Sequence, residues 1–232
     1  PDMAAGHIAM GLYWQQGTPD WLSAGESIST ALQLNPGNAQ VQMEYARINC
    51  NLNRPKKAIS AAHKARELDP ISVYAHHLTG HVHYFARQYP EAISALRGAL
   101  ELDPEYPKPH YFIACSLYWM GDTEAALHEI EQEPLAWMNQ YASSVILHRL
   151  GRLEEAQACF DTLVEMGKQE PNFIQQAAVH AQWGNADEAI ICLKQAVAVG
   201  DPGLTQLLID PFKDPLRDDP RYNEILEEIG LL

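Results

Sequence analysis

The tetrapeptide Glu67-Leu68-Asp69-Pro70 returns as Glu101-Leu102-Asp103-Pro104, and a looser version, Gln33-Leu34-Asn35-Pro36, precedes both. The three prolines are spaced 34 residues apart twice over. A fixed period of that length implies one supersecondary unit repeated, each copy too small to bury its apolar side alone and therefore stacked on its neighbours. Such units contact only adjacent units and need no single central core. The apolar content of 47% is enough to cover an interface between every pair of helices.

Between these markers each copy reads as a helix A, a tight turn, a helix B and a Pro-containing turn. Repeat 1 runs from about Met3 to Pro36, with Tyr13 in helix A, Gly17 in the turn after it, and Ala24, Ile28 and Ala31 at helical spacing in helix B. Its turn is two residues longer than the others, which places an enlarged connection around Thr18-Pro19-Asp20-Trp21. Repeat 2 spans 39–72, with Asn38 as helix cap, Pro55 in the first turn of helix B, and Ala58, Ala62 and Ala65 inside. Repeat 3 spans 73–106, capped by Ser72, with Thr79-Gly80 in helix A and Ala92, Leu96 and Ala99 in helix B.

Repeat 4 is read as starting at Pro107 and carries Ala114, Gly121 and Ala126 in register. Glu131-Gln132-Glu133-Pro134 then ends its helix B early, because proline in a helix interior loses a hydrogen bond and clashes. Repeats 5 and 6 follow with turn glycines Gly151 and Gly184, and Asp122 and Asn185 read as caps after turn glycines. The array thus covers 1–200, irregular at 131–137. From Asp201 the rhythm gives way to Asp-Pro pairs and a final amphipathic segment with Ile225, Leu226 and Ile229 on one face, read as a C-terminal cap over 201–232.

This alternation of small and large residues resembles the tetratricopeptide repeat (TPR) over about residues 3–200. The resemblance implies an all-α fold, a right-handed α-solenoid of about six helical hairpins with a capping helix. A narrower resemblance rests on Trp21, on Ala31-Leu32-Gln33-Leu34-Asn35-Pro36, and on the ending Asp210-Pro211-Phe212-Lys213-Asp214-Pro215-Leu216-Arg217-Asp218-Asp219-Pro220-Arg221-Tyr222. These stretches are similar to the C-terminal TPR regions of bacterial multidomain signalling proteins, in which the array follows a winged-helix, class III cyclase or Ser/Thr kinase domain. A chain beginning Pro1-Asp2 rather than Met fits a segment of such a protein.

The TPR resemblance implies that ligands lie along one face of the A helices. That face gives a peptide-binding groove of Arg47, Tyr74, His77, His81, Tyr84, Phe85, Tyr111, Tyr118, Trp119, Tyr141, His148 and Arg149. Exposed aromatics with arginine are typical of protein-binding hot spots. The other arrangement open to these rings is to pack on one another or beneath the tail. The Lys/Asn/Arg clamp that grips chaperone carboxylates is missing, since the corresponding places hold Met43, Arg47, His77 and His81. No heat-shock chaperone partner is expected.

His77 and His81 are four apart on one helix face, but Leu78 stands where a metalloprotease motif has glutamate, and no carboxylate completes a ligand set. His76 and His83 are expected to point towards helix B. No metal or other cofactor is expected; histidines that tune groove charge near neutral pH are. No nucleophile elbow, phosphate loop or paired-carboxylate site is present, so no enzyme activity is expected of this segment.

A net charge of −14 and a pI near 5.0 argue against nucleic acid and anionic membranes as partners. Cys50, Cys115, Cys159 and Cys192 are scattered without CxxC spacing and read as reduced thiols in a cytoplasmic protein. The reading is a non-catalytic protein-interaction or regulatory module. The alternatives are an assembly segment, packing on its own output domain or on another copy, and a small-molecule or metal sensor.

Overall fold

The computed structural model describes residues 3–13 and 20–232. Among the described residues there is no strand. Two compact units form, one from residues 1–106 with Ile229–Leu231, the other from 107–228 with Leu232.

The first unit holds α1 (Ala4–Tyr13), α2 (Trp21–Leu34), α3 (Ala39–Asn51), α4 (Pro55–Leu68), α5 (Val73–Phe85) and α6 (Tyr89–Leu102). They pack as the pairs α1/α2, α3/α4 and α5/α6, and each following helix A rests on the preceding helix B. Alanine makes these approaches possible: Ala58, Ala62, Ala65, Ala92 and Ala99 are wholly buried. Gly80 is tighter still. A Cβ there would lie 2.4 Å from Leu96 Cγ and 3.0 Å from the Ala92 carbonyl oxygen. The first repeat closes on Ile8, Trp21, Ile28, Val41 and Ile48, with Leu231 packed against them. The Trp21 indole donates to the Ile229 carbonyl at 3.0 Å.

The second unit holds α7 (Pro109–Met120), α8 (Thr123–Ile130), α9 (Ala136–Arg149), α10 (Leu153–Met166), α11 (Phe173–Gln182) and α12 (Ala186–Val199), paired in the same way. The tail follows as 3-10 helices over Pro202–Gln206 and Pro211–Leu216 and then α13 (Pro220–Glu228). Its Asp-Pro pairs have a local cause. Asp201, Asp210 and Asp219 each accept from the backbone N–H two residues on, at 2.8–2.9 Å, while the proline supplies a fixed φ for the first turn. Tyr222, Ile225 and Leu226 of α13 are buried.

The expected caps at Asn38, Ser72 and Asp122 accept from Val41, Ala75 and Ala125 N–H groups at 3.1, 3.2 and 3.3 Å. Asn185 takes the cap position of α12 without a side-chain hydrogen bond. Gly151 and Gly184 adopt φ of 77° and 83°, the left-handed conformation a tight A–B turn needs. Repeats 2 and 3 place Asn53 and Arg87 in that same conformation, at 52° and 61°.

Repeat 4 departs from expectation at its start. The helix begins at Pro109 rather than Pro107, because Lys108 has φ 83° and breaks the chain direction first. Helix B of this repeat is short, as expected, and ends at Ile130. The enlarged turn expected at Thr18-Pro19 lies outside the described residues.

Candidate functional site

The A-helix residues singled out by sequence fall into two sets, one in each unit. In the first unit, α3 contributes Arg47, whose guanidinium is held by Glu44 at 2.8 and 2.9 Å. From α5, Tyr74, His77 and His81 stand one turn apart and form a ladder, with ring centroids 6.4 and 6.2 Å apart. Tyr106 adds an edge contact to His77 at 5.7 Å, and Phe85 continues the row from His81 at 4.7 Å. Tyr74 is the most open of these rings, at 37% exposure; His81 and Tyr106 are half-buried, and His77 is buried. Desolvation pushes the phenols of Tyr74 and Tyr106 above their ordinary range. Tyr84 lies wholly inside, against Phe85 and Tyr89 at 5.0 and 6.0 Å, and faces no solvent.

The other two histidines turn to neighbouring helices. His76 Nε2 lies 3.0 Å from the Pro70 carbonyl oxygen, and its ring packs at Gly98 of α6. His83 makes contact with His63 of α4, their Nε2 atoms 3.1 Å apart. Among the described residues no three His, Cys, Asp or Glu side chains converge in a way that could hold a metal ion.

In the second unit the same face is covered by the chain itself. Phe212, on the 3-10 helix Pro211–Leu216, is 1% exposed and inserts among Trp119, Tyr118 and Tyr141, with centroids 5.2, 5.7 and 5.7 Å away. Tyr111 stacks on Tyr141 at 5.9 Å. Gln182 at the end of α11 fastens the insertion: its amide donates to the Phe212 carbonyl at 2.8 Å, and its own oxygen accepts from the Tyr118 hydroxyl at 3.3 Å. Beside the ring, Lys213 is 2% exposed and paired with Asp210. Burial, with Asp210 next in effect, holds the Tyr141 phenol well above its usual range. At the rim, Arg149 lies 4.7 Å over the Tyr118 ring and His148 stacks on Trp183 at 5.1 Å.

Glu133 is a residue whose role the sequence reading did not foresee. After α8 ends early, its buried carboxylate turns back to accept from the N–H groups of Lys108, Tyr111 and Leu135 at 3.1–3.2 Å. It thereby caps α7, the helix that carries Tyr111, Tyr118 and Trp119. The buried His110–Glu129 contact, 2.6 Å, joins α7 to α8 nearby.

This geometry defines an all-α protein of paired helices with aromatic A-helix faces. Residues 51–107 and 140–167 match family models of the tetratricopeptide repeat. Among solved structures, TTC0263, a thermophilic TPR protein of Thermus thermophilus, is similar with a TM-score of 0.67 and 15% identity, over 78% of this chain and 98% of that one. PilW, a type IV pilus biogenesis factor, reaches 0.62 at 20% identity over 84% and 92%. The pilF protein of Pseudomonas aeruginosa reaches 0.59 at 17% identity over 97% of each chain. No curated protein matches in sequence. The fold is therefore that of TPR helical hairpins. No helix among the described residues is long and apolar enough to cross a membrane.

Proposed function

We propose that the chain is a non-catalytic protein-interaction or regulatory module, and that it takes a peptide or partner domain along the A-helix face of its first unit. The observation that carries this is the row Tyr74, His77, His81 and Tyr106, with Arg47 beside it and Tyr74 open to solvent. Rigid aromatic rings next to an arginine supply large contact area at low entropic cost. The equivalent face of the second unit is occupied by Phe212, so Tyr111, Tyr118 and Tyr141 support the fold and leave the first unit as the binding face. The TPR matches support the reading, since stacked repeats build extended binding surfaces. The tail motif from Asp210 to Tyr222 supports a regulatory place within a larger bacterial signalling protein, and four free thiols are in keeping with the cytoplasm.

A displayed-peptide selection against the whole chain tests it. Tyr74→Ala and His81→Ala are expected to weaken selected peptides about tenfold each, the loss typical of a hot-spot ring. Retained affinity in both variants contradicts the assignment.

A further inference from the structure

The chain is acidic as a whole, yet its positive charge is not evenly spread. From Tyr45 to Arg66 there are six basic residues, Arg47, Arg54, Lys56, Lys57, Lys64 and Arg66, and no Asp or Glu. The whole chain has sixteen basic residues against thirty acidic ones. Five of these six follow Asn51, in the turn and helix that make up the B half of repeat 2, away from the A-helix ladder.

Part of this segment lines an open cleft of about 610 Å³ in the first unit. One wall is a stripe of α4, Lys56, Lys57, Ser60, Lys64 and Glu67, spaced as one side of a helix. Leu32 of α2, Tyr45 of α3 and Ala61 give the cleft an apolar part. Lys64 is paired with Glu67 at 2.9 Å, but among the described residues Lys56 and Lys57 have no carboxylate partner. Elsewhere Arg152, Lys168, Arg217 and Arg221 each sit against an Asp or Glu. Desolvation first, then His83 of α5 and the Arg66 cation, hold the His63 imidazole below its ordinary value, with Glu67 opposing them.

We infer that this cleft is a second docking site, for an acidic polypeptide segment. The occupant follows from charge complementarity and size. Lys56 and Lys64 are eight residues apart along α4, or about 12 Å at the helical rise. An extended chain crosses that distance in about four residues. Two carboxylates so spaced meet Lys56 and Lys64, and an apolar residue between them meets Tyr45 and Leu32. A concave site with an apolar wall suits a peptide better than a planar lipid surface or a stack of bases. The site does not depend on the Tyr74 face and can be tested apart from it.

The experiment is fluorescence anisotropy of the whole chain with a labelled Glu-Leu-Glu-Glu-Leu-Glu peptide, and with the same peptide carrying Gln for every Glu. Four variants accompany it: Lys56→Glu/Lys57→Glu, Lys56→Gln/Lys57→Gln, Lys168→Glu on the second unit as a charge control, and Tyr74→Ala on the A-helix face. Thermal unfolding confirms that each is folded. The acidic peptide is expected to bind, to weaken with added salt, and to lose about tenfold or more in the Glu pair and less in the Gln pair. Lys168→Glu and Tyr74→Ala are expected to leave it unchanged. Equal binding of the Gln peptide, or equal weakening by Lys168→Glu, overturns the site. Tighter binding of phosphatidylserine vesicles or a single-stranded oligonucleotide, with the same dependence on Lys56 and Lys57, overturns the choice of occupant.

Discussion

The side-chain amide of Gln182 donates to the backbone carbonyl of Phe212 at 2.8 Å, thirty residues further along the chain. That bond ties the last A helix to the tail and seats an aromatic ring where the second unit's A-helix face would otherwise meet water. Two faces built from the same repeat pattern thus have different fates, and the difference lies in the tail.

Removing the ring is expected to be costly. Phe212→Ala leaves a cavity among Tyr118, Trp119 and Tyr141, and truncation of a buried phenylalanine costs about 3–5 kcal/mol. Urea unfolding measures the loss. Trp119 emission should shift to the red as water reaches its ring, with α-helical circular dichroism retained.

Gly80 tests the repeat itself. Its missing Cβ would overlap Leu96, so Gly80→Ala should destabilise by about 1–3 kcal/mol despite alanine's better helix propensity. Gly6, with nothing within 4 Å of an added Cβ, should accept alanine without loss.

Glu133→Ala frees the backbone N–H groups of Lys108 and Tyr111 at the start of α7, and that of Leu135 just before α9. A buried donor left unpaired costs about 1–3 kcal/mol. Hydrogen exchange should show faster amides at Lys108 and Tyr111, while those of α5 stay unchanged.

Acid should weaken the fold through two histidines. Desolvation lowers the pKa of His180, which packs edge-on to Phe160 at 4.9 Å, and that of His63. The unfolded chain then takes up protons first as pH falls below about 6.5. Their contribution is fully present above that value and is lost as pH falls through the folded-state pKa. Thermal unfolding at pH 7.5 and 5.5 checks this: the drop should be smaller in His63→Gln/His180→Gln than in the native chain.

Thiol labelling should be ordered. Burial pushes Cys50 up to about 12 and Cys192 up to about 11, so little thiolate is present at pH 8. Cys159 is less buried and should react first, ahead of Cys50, Cys115 and Cys192.

Helix positions, caps and buried alanines were legible because each is a local consequence of residue type at helical spacing. Asn38, Ser72 and Pro55 are examples. The Lys108 break was not, since a left-handed lysine is imposed by the chain around it and carries no signature of its own. Glu133 could be read as the end of a helix, but not as a cap for residues 22 and 25 positions earlier. The A-helix face was legible as a set of residues. Its division into a covered part and an open part depends on Phe212, which contacts it only through long-range packing. The basic stripe of α4 is plain in the sequence, yet a net charge of −14 conceals it when charge is summed over the whole chain.

The division of the two faces is tested most directly by hydroxyl-radical footprinting of the whole chain, alone and with a selected peptide. Tyr74 and Tyr106 should be oxidised in the free chain and protected by the peptide, with Phe212, Tyr118 and Tyr141 protected in both. Oxidation of Phe212 and Tyr118 in the free chain, or peptide protection that leaves Tyr74 untouched, would contradict the account.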